Sequence, residues 1–210
     1  MVMVPGGASK DFCIDMTEVT QKEYNAWLAT SPTTSGQPAA CSTNSTYVPS
    51  CNWTPIPSPQ KPVVCVDWCD AYAYCKGVGK RLCGKVGGGA VASTDLINAN
   101  QSQWYYACSK HGAQLYPYGP VYSTTACVGL ENSFIGTQNV GLLSTCNGGY
   151  STLTDMSGNA AEWEDGCNGN SCPARGGHYN DGATNLRCDT VLMAPRMEQV
   201  NKRGFRCCAD

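Results

Sequence analysis

Fifteen cysteines are the residues of this 210-residue chain whose type and spacing could do the most chemistry. They are scattered from Cys13 to Cys208. A structural zinc site typically needs two short CxxC or CxxH units, and no such pair of units is present beside the only two histidines, His111 and His178. Scattered cysteines in this number are typical of a disulfide framework, which persists outside the cytosol. The sequence therefore predicts an extracellular, disulfide-stapled protein.

The spacing of the cysteines predicts some disulfides and does not determine the partners of the other cysteines. Proximity along the chain predicts three local pairs, Cys41–Cys51, Cys127–Cys146 and Cys167–Cys172. An odd number of cysteines leaves at least one thiol free or bonded to another chain. Glycosylation sequons, which suit the same compartment, occur at Asn44, Asn52 and Asn100.

Composition excludes several classes of function. Charged residues make up 14% of the chain, below the roughly 25% that is usual for soluble domains. The net charge of -2 offers no basic face for nucleic acid. No apolar run approaches the roughly 18 residues that span a bilayer. The opening MVMVPGG lacks the basic flank and apolar stretch of a signal peptide, so we expect any secretory leader to be absent from this sequence.

The first third of the chain predicts two strands, one helix and a long loop. Residues 1–7 and Phe12–Val19 read as short strands. Thr20-Gln-Lys-Glu23 is a capping-box pattern, which predicts a helix running through Leu28. From residue 30 to residue 61 the chain is rich in Ser, Thr, Pro and Asn. We interpret this stretch as a loop held by a disulfide.

Two further helices are predicted before the glycine-rich remainder. Asp67 is expected to cap the second helix, in which Trp68, Ala71, Tyr72 and Cys75 form an apolar stripe at helical spacing. A weaker pattern predicts a third helix from about residue 98 to residue 110. The remaining residues read as loops and short strands.

Several blocks of the sequence, taken in order, resemble a known family. They include FCIDMTEVTQKEY, PVVCVDWCDAYAYCKGVGKRL, QWYYACSKHG, YPYG, DMSGNAAEW and RGFRCCAD. This order is similar to that of the formylglycine-generating enzyme (sulfatase-modifying factor) family. The resemblance implies one α+β domain over residues 1–210 with a C-type-lectin-like fold. We expect few helices, short twisted strands and long disulfide-stapled loops.

The chain departs from this family where the enzymes carry out their chemistry. In the enzymes, two cysteines after the RGG block carry a copper-dependent oxidation. Here the stretch from His178 to Arg187 contains no cysteine and is shorter. A soft copper ion needs thiolate ligands, and this stretch offers harder donors. We therefore expect no copper and a non-catalytic module; the alternative is a copper-dependent oxidase of sulfatase cysteines with relocated thiols.

The resemblance also implies two long-range disulfides. The family pairings correspond here to Cys75–Cys207 and Cys108–Cys188. Cys207 and Cys208 are adjacent in an extended segment, so their side chains point to opposite faces. Cys208 is left without a predicted partner.

A structural calcium ion is implied by the block DMSGNAAEW. In the family this block wraps calcium, which prefers carboxylate and carbonyl oxygens. The corresponding ligands are the carboxylates of Asp155 and Glu162 and the carbonyls of Gly158 and Ala160. The alternative is an ordinary turn with a solvated Glu162.

The residues after the RGG block are the candidate ligand surface. His178, Tyr179, Asn180 and Asp181 form its centre, and Asn185, Met193 and Arg196 are expected near the same face. Arg175 and Arg206 are expected to have structural roles, and an ordinary polar loop is the alternative for the surface itself. The predicted function is an exported, bacterial-type secreted or surface module. It would bind a protein or glycan partner, or a second copy of itself in a surface assembly or filament.

Overall fold

The computed structural model describes residues 1–6, 10–51, 58–150 and 152–210. The sequon at Asn52 lies outside these ranges. Three α-helices lie within them, α1 (Gln21–Leu28), α2 (Trp68–Gly77) and α3 (Gln103–Ser109). The strands, in chain order, are β1 (Val2–Val4), β2 (Phe12–Ile14), β3 (Arg81–Leu82), β4 (Ala161–Trp163), β5 (Ser171–Arg175), β6 (Val191–Pro195), β7 (Arg203–Phe205) and β8 (Cys207–Ala209).

The first sheet joins the beginning of the described chain to its end. Its strand order is β1-β2-β8-β3, and all its neighbours are antiparallel. Ile14 of β2 lies opposite Cys208 of β8. The predicted second strand is shorter than expected, because β2 ends at Ile14. The backbone leaves the sheet there, although Val19 still donates a hydrogen bond to the carbonyl of Phe205.

The second sheet carries the segments that position the candidate site. Its order is β6-β5-β4-β7, and β4 and β7 run parallel. β5 and β6 are aligned over five residue pairs, from Ser171 opposite Pro195 to Arg175 opposite Val191. β6 is therefore an edge strand, and the loop between β5 and β6 contains the candidate ligand residues.

The helix starts follow from their capping residues. Thr20 Oγ1 accepts a hydrogen bond from the Glu23 amide, and Glu23 Oε2 accepts one from the Thr20 amide, which completes the predicted capping box. Asp67 and Asp70 make the same reciprocal contacts at the start of α2. The third helix starts at Gln103 and not near residue 98, because Ser102 Oγ caps the amide of Tyr105.

Two apolar clusters form the interior. One packs α1 and α2 against the second sheet and includes Tyr24, Trp163 and Phe205. The other packs α3 against the inner face of the first sheet and includes Phe12 and Trp104. The two sheets and three helices therefore enclose a shared interior from which the long loops extend.

Seven disulfides connect these elements. Cys75–Cys207, Cys108–Cys188, Cys127–Cys146 and Cys167–Cys172 are pairs that were expected. Cys208, which had no predicted partner, bonds Cys83. Adjacent Cys207 and Cys208 thus bond residues on opposite sides of β8.

The expected pair Cys41–Cys51 is wrong. Cys41 bonds Cys69 of α2, and Cys51 bonds Cys65. Asn44 lies beside them and donates a 2.8 Å hydrogen bond to Asp70 of α2. The loop therefore folds along α2, and its cysteines meet cysteines of that region instead of each other. Asn44 is buried by this contact, so its amide is not accessible in the folded protein.

Candidate functional site

The loop from residue 178 to residue 190, called the His178 loop below, begins at two glycines with left-handed backbone. Gly176 has φ +80° and Gly177 has φ +65°. A Cβ atom on Gly177 would lie 2.7 Å from the carbonyl oxygen of Asn185, and one on Gly176 would lie 2.9 Å from that of Met156. The RGG block therefore needs its glycines for both backbone conformation and close packing.

Arg175 fixes the base of the His178 loop. Its guanidinium donates hydrogen bonds to the carbonyls of Leu96 (2.8 Å) and Cys188 (2.7 Å). It also lies 4.9 Å from the centre of the Trp104 ring. The side chain is fully buried, as its expected structural role requires. Together with the Cys108–Cys188 disulfide, these contacts hold both ends of the loop.

His178 and Asp181 form a pair inside the loop. Asp181 Oδ2 accepts a hydrogen bond from the His178 amide (3.0 Å) and lies 3.2 Å from His178 Nε2. His178 Nδ1 accepts a hydrogen bond from the Asn180 amide. Burial lowers the pKa of His178, Asp181 opposes this change, and the charges of Lys202 and Arg203 lower the pKa further. These effects together favour the neutral imidazole, and the Asn180 contact at Nδ1 places the proton of that form on Nε2.

A cavity of about 190 Å³ opens beside this pair and is called the His178 cavity below. Three of the predicted residues line it, namely His178, Asp181 and Asn185. Asn185 Nδ2 also donates a 2.8 Å hydrogen bond to Asp181 Oδ1. Ala161 and Ala174 form an apolar part of the wall. Thr190, Leu192 and Lys202 also line the cavity, and the sequence analysis did not predict them. These last residues come from β6 and the segments flanking the strands, and no local motif marks them.

The other predicted residues lie outside the lining of this cavity. The ring of Tyr179 packs at 5.6 Å from that of His178, and Asn180 is exposed. Met193 is exposed on the edge strand β6. Arg196 does not join the ligand surface, contrary to expectation. It is buried 4.5 Å from the centre of the Trp68 ring and donates to the carbonyl of Gly169.

The expected calcium ligands are only partly free to bind an ion. Glu162 Oε2 accepts hydrogen bonds from Trp104 Nε1 (2.8 Å) and Arg206 Nε (2.7 Å), and Oε1 accepts one from Arg206 Nη2 (2.7 Å). A carboxylate has about four lone-pair positions, so about one remains. The main partner of Glu162 is therefore Arg206, and not solvent.

Other oxygen atoms near Glu162 lack partners. Asp155 Oδ2 accepts a hydrogen bond from the Gly141 amide, whereas within the described ranges no hydrogen bond reaches its Oδ1 or the carbonyls of Gly158 and Ala160. Glu18 is buried beside them: its Oε1 accepts from the Ala160 amide (3.4 Å), and its Oε2 has no partner. These are hard oxygen donors of the kind that calcium prefers.

Acidic side chains outnumber basic ones around Glu162, where Glu18 and Asp155 lie near the same Arg206. Burial raises the pKa of Glu18 well above its usual value, and the charge of Asp155 raises it further, while Arg206 opposes the change. Burial also raises the pKa of Asp155. No three His, Cys, Asp or Glu side chains of the described part of the chain converge as a metal cluster. A cation bound here would therefore depend on backbone carbonyls for much of its coordination.

Comparison with known proteins assigns the chain to a family. The sulfatase-modifying factor enzyme 1-like domain matches residues 7–210. The chain belongs to this family. Both the family and the fold that the sequence blocks predicted are confirmed. No curated protein matches the sequence.

Three solved structures show the same sulfatase-modifying-factor-like fold. They are Treponema denticola variable protein 1 (TM-score 0.64, 95% of this chain and 84% of that one), CarF (0.62, 95% and 86%) and PvdO from Pseudomonas aeruginosa (0.64, 96% and 81%). Each is 19% identical to this chain. At this identity the likeness establishes the fold alone.

The thiols of this family member are nearly all bonded. Fourteen of its fifteen cysteines form disulfides, and the remaining free thiol is Cys13, half-buried on β2. The abundance of disulfides indicates an oxidising, extracellular environment. Within the described ranges, no helix has the length and apolarity needed to cross a membrane.

Proposed function

We propose that this protein is a non-catalytic, exported binding module that recognises a partner through the His178 loop and the adjoining edge strand β6. A calcium ion that braces the core behind this surface is part of the proposal. The partner is a protein or a glycan, or a second copy of the chain in a surface assembly.

The observation that carries the proposal is the state of the thiols. The stretch from His178 to Arg187 has no cysteine, and Cys188 at the end of the His178 loop is bonded to Cys108. The nearest pair in sequence, Cys167 and Cys172, is also a disulfide. The free thiol of Cys13 lies in the other sheet, opposite Met3 and Ala209. Copper chemistry of the family type uses two thiolates, and the described structure offers one free thiol.

A fixed loop beside exposed apolar side chains supports binding. Arg175 and the Cys108–Cys188 disulfide hold the loop, so little conformational entropy is lost when a partner binds. Leu192 (53% exposed) lies on β6 and lines the His178 cavity, whereas the next residue, Met193 (41%), points to the other face of the sheet. Leu130, 52% exposed, donates its amide hydrogen to the carbonyl of Asp181. Apolar side chains of this kind surrounded by polar residues are typical of interaction surfaces.

Metal binding and oxygen use test the non-catalytic part of the proposal. The oxidised protein and a Cys13→Ser variant would be titrated with Cu(I) under a competing chelator, and oxygen consumption would be followed with a cysteine-containing peptide. We expect no tight stoichiometric copper site and no turnover for either protein. Stoichiometric copper binding with peptide oxidation would establish the alternative, an oxidase with relocated thiols.

Alkylation before and after reduction tests the thiol assignment directly. Mass spectrometry of the native protein should show one alkylated residue, Cys13, and peptide mapping should recover the seven disulfides. A free pair of cysteines near the His178 loop would contradict the proposal.

A further inference from the structure

A second cavity, of about 320 Å³, lies between α1, α2 and the loop that precedes residue 48. It is called the Trp27 cavity below and shares no lining residue with the His178 cavity. Trp27 comes from α1, Tyr47 from the loop, and Tyr72 and Lys76 from α2. The family resemblance suggested no role for this region.

The walls of the Trp27 cavity are aromatic and fixed. The rings of Trp27 and Tyr47 lie 5.2 Å apart, and Tyr72 stacks on Trp68 at 5.0 Å. The hydroxyl of Tyr47 donates a hydrogen bond to the carbonyl of Thr33. The Cys41–Cys69 disulfide holds the loop against α2. The cavity is therefore preformed, as small-ligand sites usually are.

Several hydrogen-bond donors in this lining have no partner. Within the described ranges, no hydrogen bond or ion pair involves the hydroxyl of Tyr72, the hydroxyl of Ser35 or the ammonium of Lys76. The indole Nε1 of Trp27 also has no hydrogen bond, but it lies against Gly77, where a Cβ atom would be only 2.4 Å away. No Asp or Glu is among the described lining residues. The cavity thus offers donors and one positive charge to a ligand that brings acceptors.

We propose that the Trp27 cavity binds a carboxylate-bearing sugar. The half-buried ring of Tyr72 can pack against the apolar C–H face of a pyranose, while the free donors bind its hydroxyl and carboxylate oxygens. A single lysine is too little charge for a nucleic acid backbone. A neighbouring cavity of about 390 Å³ shares Pro32, Thr33 and Tyr47 with this one, which provides room for an adjoining sugar residue.

Calorimetric titration with digalacturonic acid tests the proposal, using a neutral galactose disaccharide and acetate as comparison ligands. We expect saturable binding of the diuronate, weakened about tenfold by Lys76→Gln and about threefold by Tyr72→Phe, since these changes remove a charged and a neutral hydrogen bond. Lys22→Gln, which changes an exposed lysine of α1 outside the cavity, should leave the affinity unchanged.

The other outcomes would overturn the proposal. Equal affinity for the neutral disaccharide would remove the role of the carboxylate. If acetate displaced the diuronate at an equal concentration, the cavity would be a site for any carboxylate and not for a sugar. The absence of diuronate binding, or binding that neither Lys76→Gln nor Tyr72→Phe changes, would show that the cavity is not a sugar site. Thermal melts of each variant would establish that it remains folded.

Discussion

Arg206 and Glu162 form a two-pronged ion pair in the interior of the protein, with Nε–Oε2 and Nη2–Oε1 distances of 2.7 Å each. The remaining N–H groups of Arg206 donate to the carbonyls of Asp15, Met16 and Thr154. The guanidinium has five donors, and all of them are used. Arg206 thus connects the segment after β2, the DMSGNAAEW block and the last strands.

Replacing Arg206 with lysine should destabilise the protein strongly. Lysine keeps the charge but cannot form the fork, and it leaves carbonyl groups and part of Glu162 unpaired. Breaking a buried pair typically costs about 3–5 kcal/mol of unfolding free energy. Urea unfolding would measure the loss for Arg206→Lys. Arg187→Lys is the matched control because its pair with Asp189 is partly exposed to solvent (38% and 27% of the two side chains), and it should lower the midpoint far less. A similar midpoint for both variants would contradict this role.

Stability should fall as the pH rises from about 4 to about 7. Burial, together with the charge of Asp67, raises the pKa of Asp70 to about 7. Burial raises the pKa of Glu164 to about 7, although Arg175 opposes the change. Unfolded carboxyl groups titrate near pH 4, so the folded state binds more protons throughout this window. Urea midpoints in EDTA should therefore be higher at pH 5 than at pH 8.

The variant Asp70→Asn should reduce that dependence. It removes one of the titrating groups while keeping an oxygen to accept the hydrogen bond from Asn44. The slope of stability against pH between 5 and 8 should be smaller than in the unmodified protein. A stability that rises with pH over this range would show that these carboxyl groups are not protonated in the folded state.

Calcium should raise the melting temperature of the protein by binding at the proposed site beside Asp155. Binding to the folded state alone at a hundred times the dissociation constant stabilises a protein by about 2.7 kcal/mol. Scanning calorimetry with calcium and with EDTA would measure the shift, and Asp155→Asn should reduce it. Asp95→Asn changes a carboxylate in a remote loop and serves as the control. Identical melting with calcium and with EDTA would refute the calcium proposal.

Removing the Cys108–Cys188 bond should cost more stability than removing Cys167–Cys172. The two bonds span 80 and 5 residues, and the other disulfides leave the first loop about 45 residues long in the unfolded chain. The chain-entropy model gives about 4 kcal/mol for the longer loop and about 2 kcal/mol for the shorter one. Guanidinium unfolding of the two double-alanine variants would compare them. Equal losses would indicate that unfolded-state entropy does not set the difference.

Local signals in the sequence predicted some features well. The capping boxes at Thr20 and Asp67 depend on residues within one helical turn, so both helix starts were predictable. The order of short motifs was enough to indicate the family. Contacts between distant segments could not be predicted from such local signals. The Cys41–Cys69 bond depends on the loop lying along α2, which chain proximity does not encode.

The candidate site also combines residues that local sequence signals predict with residues that they do not predict. His178 and Asp181 are three residues apart, and both line the His178 cavity. Lys202 reaches the same cavity from the segment before β7, and no motif surrounds it. Glu18 lies beside the DMSGNAAEW block although 142 residues separate it from Ala160. Only the packing of the two sheets brings such residues together.

The position of Cys207 and Cys208 on β8 also determines when two of the disulfides can form. They are the last cysteines in chain order, and they close the loops to Cys75 and Cys83 from opposite sides of the strand. Neither loop can close until the ribosome has made β8 and that strand has reached an oxidising environment. The other five disulfides join cysteines that precede β8, so they do not have to wait for it. The last two disulfides therefore depend on β8 finding its place between β2 and β3.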